Sequence, residues 1–341
     1  MSWGNPGDLQ KLDWASLPQP VLPVGSGSNL LFTKDFAGTV LQSRYDDITV
    51  LEDRSDADYT LVEAGAGLVF DDFCHWAASK ELWGIENLSG IPGTVGASAV
   101  QNVGAYGVEA GDVIVEVNCY EIATGSFVTI PASDCAFAYR DSFFKHNRGR
   151  YIVVSVVFRL TTMFCPQLEY GHLREAVERN MEFVSTVSMP YPQVVTFSPK
   201  QPGVITPMLV RDTVRIIRSE KLPDPKNVGS AGSFFKNPVV SADRYASVVK
   251  IAQAAKGADA KVPHYDLEDG SVKIPAAWMI EFCGFKGKRL GGAGVWEKQP
   301  LVIVNASGSA TPDEIIALEQ EIIGTVNNTF GIELHPEVDH I

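Results

Sequence analysis

At 341 residues the chain is longer than one compact core usually organises, and it fits two or three domains, with 45% hydrophobic residues to fill them. A formal charge of −13 excludes a broad nucleic-acid or anionic-membrane face, because polyanions would be repelled over most of the surface. Any anionic ligand must therefore meet a local cluster of cations.

Residues 1–23 lack a basic start followed by an apolar run, so no secretory signal is expected. Short strands are expected at 20–24, 38–42 and 59–65, where alternating or continuous apolar residues are bounded by Gly and Asp, and a helix is expected over 70–79. Residues 113–122 and 127–130 flank Ala123-Thr124-Gly125-Ser126 and read as a hairpin. The β-branched run 151–160 reads as a strand. The 164–207 stretch has five prolines from Pro190 onward and no clear period, and is expected to be irregular.

Regular patterning resumes at Ser241, a candidate cap for a helix that buries Tyr245, Val248, Val249 and Ala252 and stops at Gly257. A second helix is expected near Pro275 and a strand at 301–305. The strongest helix signal starts at Thr311, with Pro312 in the first position and Glu314 placed for a capping box. Its apolar face is Ile315, Leu318, Ile322, Val326 and Phe330, and Gly331 ends it.

Several segments carry chemistry. Gly25-Ser26-Gly27-Ser28-Asn29 follows a strand, and its small residues suit either a tight turn or a cradle of backbone N–H groups around an anion. A dinucleotide fingerprint of the Rossmann type is excluded, because Leu30 stands where a third glycine is needed. The segment from Ser89 to Gly107 holds Gly90, Gly93, Gly96, Gly104 and Gly107. So many glycines are costly to order unless the backbone must approach something closely, such as a planar cofactor with a pyrophosphate, and the segment is expected to be a polar loop. Between Arg211 and Lys236 six cations face three acids, which suits either a site for an anionic substrate on this acidic chain or a solvated basic face. Arg140, beside Tyr139, suits the gripping of a carboxylate. The tail His335-Pro336-Glu337-Val338-Asp339-His340 superficially suggests a metal site, but no ligand spacing elsewhere completes one and solvated side chains are expected. The five cysteines, Cys74, Cys119, Cys135, Cys165 and Cys283, have no metal-ligand spacing and are expected to be buried thiols in a reducing cytosol.

The Gly-rich loops, the Tyr139-Arg140-Asp141-Ser142 run, Lys221-Leu222-Pro223-Asp224-Pro225-Lys226, Gly232-Ser233-Phe234-Phe235-Lys236-Asn237-Pro238 and Pro336-Glu337-Val338 together resemble the UDP-N-acetylenolpyruvoylglucosamine reductase family, in order and over residues 20–341. The resemblance implies an α+β chain: an FAD-binding domain of the vanillyl-alcohol-oxidase (PCMH-like) type plus an α+β substrate-binding domain. Residues 1–163 would be the FAD-binding region in two lobes, 164–210 an irregular insertion, lid and linker, 211–333 the substrate-binding domain, and 334–341 a tail returning to the active site. It implies non-covalent FAD reduced by NADPH, a small-molecule UDP-sugar substrate, no nucleic-acid or membrane partner, and a cytoplasmic enzyme of peptidoglycan precursor synthesis.

Carried over by motif, Gly25, Ser26, Gly27, Ser28, Asn29, Ser89, Gly90, Ile91, Pro92, Gly93, Gly96, Ala97, Ser98, Asn102, Gly104, Gly107 and Arg218 are expected at the cofactor. Tyr139, Tyr170, Lys221, Asn237 and Tyr265 are expected at the substrate. The catalytic set would be Arg140, Ser233 and Glu337. Flavin hydride would go to the enolpyruvyl methylene, Arg140 and Glu337 would stabilise the resulting enol or enolate, with Glu337 protonated or sharing a proton, and Ser233 would protonate the adjacent carbon. Two rival readings remain open at this point: a flavin oxidase of the same fold class, and a non-catalytic flavin- or UDP-sugar-binding relative. Three departures from the family pattern carry expectations, one being a long proline-rich insertion between Tyr170 and Arg211 that is expected to give a different substrate lid. The start before Gly25 is short, which bears on FAD affinity, and only four residues follow Glu337, which is expected to hold that acid loosely.

Overall fold

The computed structural model describes residues 1–182, 186–188, 194–196 and 204–341. The chain forms two compact units. Met1–Gly27 with Phe36–Ser219 make the first, and Ser28–Asp35 with Glu220–Ile341 make the second.

The first unit is built on a five-stranded antiparallel sheet in the order Ser126–Pro131, Ile114–Glu121, Tyr151–Thr161, Tyr59–Gly65 and Ile48–Val50. The Tyr151–Thr161 strand is central, which its β-branched sequence suits, because both of its faces are covered. Ile152 and Val154 pack with Trp3, Leu9 and Tyr120, whereas Val156, Phe158 and Leu160 pack with Phe73, Cys74 and Val117. Residues of one parity reach two different cores because the register shifts between Val153 and Ser155, and one extra residue turns the following side chains to the opposite face. Helix Phe70–Ser79 covers the second core with Phe70, Phe73, Cys74, Ala77 and Ala78. A smaller sheet pairs Ser2–Trp3 and Val21–Val24 in parallel on either side of Thr39–Ser43.

The segment from 89 to 107 is not a loop throughout. Thr94 caps a helix over Val95–Gln101, its hydroxyl accepting from Ala97 N, and Asn102 closes that helix in the left-handed region at φ 43°. The 164–210 stretch is not wholly irregular either. Helix Leu173–Glu182 buries Leu173 and Val177 with Trp83, Leu168, Val210 and Val214, while strands Thr186–Ser188 and Val194–Thr196 pair antiparallel. Leu173, Ala176 and Val177 do recur at helical spacing, but they are few on a short, strongly charged helix, which is why sequence patterning misses it. The rest of the expected insertion, 183–185, 189–193 and 197–203, lies outside the described residues. Helix Pro207–Lys221 crosses the expected boundary at 211, and the division between units falls within it, at Ser219 and Glu220.

The second unit has a four-stranded antiparallel sheet, Ser230–Ser233, Val302–Asn305, Ala293–Val295 and Arg289–Leu290. Helix Pro312–Phe330 lies in its core through Ile315, Leu318, Ile322, Val326 and Phe330. The capping box forms as expected: Glu314 N donates to Thr311 Oγ1 and Thr311 N to Glu314 Oε2 at 2.9 Å, while Gly331 ends the helix at φ 64°. Ser241 caps Ala242–Lys256, and Ala276–Phe282 follows Pro275. Among the described residues no helix is long and apolar enough to cross a membrane.

Candidate active site

In the first unit, Gly25 leaves its strand against the first turn of Val95–Gln101. A Cβ there would lie 2.8 Å from Thr94 Oγ1 and 3.1 Å from the Ala97 methyl, and Gln42 Nε2 donates to Gly25 O at 2.8 Å. Gly27 takes φ 72°. Ser26, Gln42, Ser43, Arg44, Asp46, Gly67, Val69 and Thr94 line a cleft of ≈ 220 Å³, too small for a whole dinucleotide, for which about 300–1,000 Å³ is usual, but ample for part of one. A glycine backbone that no side chain could replace, beside a polar cleft holding one guanidinium, fits a pyrophosphate.

The second Gly-rich segment divides into a surface and a support. Gly90 and Gly93 take φ 71° and 132°, conformations closed to most side chains, and Ile91, Pro92 and Ala97 keep exposed area. Ser89 and Ser98 are buried, with their hydroxyls bonded to Glu86 O and Val95 O, and a Cβ at Gly96 would lie 2.8 Å from the Ala66 methyl. Asn102 is also buried; its amide reaches Glu109 Oε2 and Ala138 O while its Oδ1 accepts from Gly111 N. These four expected cofactor residues shape the segment from within. Arg140 takes φ 55°, rare for a side-chain-bearing residue, and its Nη2 donates to Gly104 O at 2.6 Å with the guanidinium 5.4 Å above the Tyr139 ring. Tyr170 is exposed, edge-on to Tyr106 at 6.1 Å, and passes close to Gly107.

The basic stretch from 211 to 236 is not one substrate face. Arg211, Arg215 and Arg218 recur at helical spacing on one side of Pro207–Lys221. Arg211 is only 3% exposed and pairs with Asp71 at 3.2 Å and Asp212 at 3.1 Å; Arg215 lies 3.5 Å from Asp71. Asp71 Oδ1 accepts from Gly90 N at 2.7 Å, and Arg218 Nε donates to Gly90 O at 3.1 Å, so both sides of Gly90 are held. Burial pushes the Asp212 carboxyl up to about 6 against the pull of Arg211. Two of the six cations are therefore engaged with acids of their own unit, Arg211 with buried Asp212 and half-buried Asp71, and Arg215 with Asp71. Asp71, Gln42 and Thr94 were not recognisable as site residues from their surroundings in sequence; Thr94 alone had a signal, as a capping residue before a small-residue helix.

In the second unit, three distant segments meet. Ser233 ends the strand Ser230–Ser233 and is exposed, whereas Phe234 and Phe235 behind it are each 1% exposed. Glu337 N donates to Phe234 O at 2.8 Å, and Lys236 N donates to His335 O at 2.9 Å. Asn29 Nδ2 donates to Glu337 O at 3.0 Å, and Asp339 N returns to Asn29 O at 3.0 Å. The tail is not loose. Asp339–His340 pairs in parallel with Leu30–Leu31, and Thr33 N and Oγ1 both donate to Ile341 O at 2.8 Å. Asn237 Oδ1 accepts from Ala276 N at 2.9 Å, Tyr265 is exposed on its short strand, and exposed Lys221 has its carbonyl bonded by Trp296 Nε1 at 3.0 Å.

The cysteines depart from uniform burial: Cys165 is exposed and Cys283 half-buried. Burial pushes the Cys74, Cys119 and Cys135 thiols up, the last to about 12, so none of these three is an activated nucleophile. Among the described residues no cluster of His, Cys, Asp and Glu could hold a metal ion.

Residues 12–131 match a family described as FAD binding domain, and residues 224–341 match the C-terminal domain of UDP-N-acetylenolpyruvoylglucosamine reductase. A UDP-N-acetylenolpyruvoylglucosamine reductase of Bacteroides fragilis is 42% identical over 323 residues, covering 94% of this chain and 87% of the relative. One from Neisseria meningitidis is 44% identical over 318 residues, covering 93% and 84%. The crystal structure of the reductase MurB from Thermus caldophilus aligns with 99% of this chain and 90% of its own at a TM-score of 0.58 and 20% identity, a likeness of fold. Fold and site thus define an α+β, FAD-dependent oxidoreductase. The chain belongs to the UDP-N-acetylenolpyruvoylglucosamine reductase family.

The purified protein is accordingly expected to be yellow and to release free FAD on denaturation. Gly25→Val would force a branched side chain against Thr94 and should weaken flavin retention by about 1–3 kcal/mol, the usual cost of overpacking. Titration of the apoprotein with FAD, followed by flavin fluorescence, checks this; equal affinity for variant and wild type would remove Gly25 from the cradle.

Proposed function

We propose that this chain catalyses the NADPH-dependent reduction of UDP-N-acetylenolpyruvoylglucosamine to UDP-N-acetylmuramate in the cytoplasm, for peptidoglycan precursor synthesis. The observation that carries the reading is the meeting of Asn29, Ser233 and Glu337 at one sheet edge of the second unit, held by the bonds from Glu337 N to Phe234 O and from Asn29 Nδ2 to Glu337 O. Residues separated by some hundred to three hundred positions have no reason to meet there as ordinary surface.

When bound, FAD reduced by NADPH supplies the hydride for the terminal methylene of the enolpyruvyl ether. Arg140, its guanidinium tied to Gly104 O, would pair with the substrate carboxylate and stabilise the negative charge that develops there. Glu337 would share a proton with the same carboxylate. Ser233, exposed at its strand end, would deliver a proton to the carbon bearing the carboxylate, which completes the addition of hydrogen across the double bond. Lys221 and Asn237 would meet the uridine diphosphate, and Tyr139, Tyr170 and Tyr265 the rest of the sugar nucleotide.

The direct test mixes purified protein, NADPH and UDP-N-acetylenolpyruvoylglucosamine and follows nucleotide oxidation. Rapid oxidation only with the sugar nucleotide is expected. Oxidation supported by oxygen alone would instead point to a flavin oxidase, and flavin binding without turnover to a non-catalytic relative. Lys221→Ala should weaken the sugar nucleotide by about 1.5–3 kcal/mol, the worth of a charge-assisted contact, while NADPH oxidation at saturating substrate changes little. An unchanged KM at low salt would take Lys221 out of the diphosphate site.

A further inference from the structure

The face of helix Pro312–Phe330 that packs into the core carries one acid. Glu319 stands four residues after Ile315 and three before Ile322, and its side chain is 1% exposed. An ionised carboxylate among apolar side chains is costly unless a charge is brought to it. Among the described residues its one ion-pair partner is His340, with Nε2 at 3.2 Å from Oε2, and Oε2 makes no hydrogen bond. His340 lies on the two-residue strand Asp339–His340, three residues beyond Glu337, and its ring centroid is 6.1 Å from that of Phe234, the neighbour of Ser233.

We propose that Glu319 and His340 form a positioning pair that fixes the terminal strand, and through it the backbone of Glu337 and of Ser233-Phe234, in the geometry needed for transfer to the enolpyruvyl group. The inference rests on the reading of Glu337 and Ser233 given above. A strand of two residues has few ladder bonds, so a side-chain pair reaching into the core supplies a second fixed point. The 3.2 Å approach of His340 Nε2 to Glu319 Oε2 joins the strand to the helix. Burial raises the Glu319 carboxyl above its ordinary range while His340 draws it down. Glu319 is buried while the His340 side chain is 32% exposed, so the pair ties the core helix to a partly exposed terminal strand, and a charge retained in a core is best attested as a device that specifies one arrangement.

The test separates the two half-reactions by rapid mixing of the flavin-loaded enzyme. His340→Ala is expected to slow reoxidation by saturating sugar nucleotide about 10–100-fold, as a misplacement of about an ångström does, with reduction by NADPH close to wild type. His340→Gln, which keeps a donor toward Glu319, should recover most of the rate. The double variant Glu319→Leu with His340→Leu buries no charge and is expected to fold even where His340→Ala does not, and to show the same selective slowing. Wild-type reoxidation in a folded variant, or equal slowing of both half-reactions, overturns the proposal. Glu337→Gln measured alongside distinguishes the causes: if it is slow while the pair variants are not, only the positioning role fails, and if it reoxidises at the wild-type rate, the catalytic reading fails with it.

Discussion

Ser233→Ala is expected to leave reduction of bound FAD by NADPH almost intact and to slow the subsequent transfer to the enolpyruvyl ether by about 10²–10⁴-fold, the range for removal of a general acid. The first half-reaction delivers no proton to carbon, so it is insensitive to the hydroxyl. The strand geometry survives the substitution, because Ser233 is exposed and its pairing with Val302 is made by backbone. Gly232, at φ 78°, already makes the turn that aims Ser233, and Phe234 N anchors the next residue on Leu301 O at 2.8 Å. Ser233→Cys should retain more activity than Ala, since a thiol can still give up a proton. If Ser233 merely shaped the strand end, Ala would be nearly harmless and Cys no better. Rapid-mixing measurement of both half-reactions decides, and an Ala variant that reoxidises at the wild-type rate removes Ser233 from the chemistry.

Arg211→Met is expected to destabilise the first unit by about 3–5 kcal/mol, the cost of stripping the partner from buried charge. Met fills much of the volume, so the loss comes from Asp71 and Asp212 rather than from a cavity. The deficit should depend on pH. Without Arg211 the Asp212 carboxyl, already raised by burial to about 6, rises further. A carboxyl raised above its unfolded value contributes stability below that value and loses it as pH climbs through the folded value. The variant should thus be weakest near pH 7 to 8 and approach wild type toward pH 4 to 5. Denaturant melts across that range test it, with a pH-independent deficit as the contrary result. Because Asp71 also holds Gly90 N, weaker flavin retention should accompany the loss.

Much of this was legible in the chain. The helix at 70–79, the one running from Ser241 to Gly257 and the one capped by Thr311 formed with their expected limits, the first through its apolar period and the other two also through caps and stop glycines, all of them local signals. The Gly-rich segments stood out by composition, whereas Arg140, Ser233 and Glu337 were proposed as a catalytic set only through the ordered motifs that resemble the reductase family. Helix Leu173–Glu182 could not be read, since its few apolar residues find most of their partners far along the chain, at Trp83 and on Pro207–Lys221. The bulge near Val154 was invisible because register is a property of two strands, and one sequence reads the same on either side of it.

Local patterning by itself determined the strands and the positions of the strong helices, while the ordered motifs, through their resemblance to the reductase family, implied the α+β fold type and the residues expected at flavin and substrate. Tertiary structure decided which charges were available. It buried Arg211 against Asp71 and Asp212, brought Asn29 and the Ser233-Phe234 strand to Glu337, and tied the tail to Leu30–Leu31 and to Glu319. The physical reason is that burial and long-range hydrogen bonding depend on where distant segments meet, whereas capping, period and turn chemistry act within a few residues of the chain.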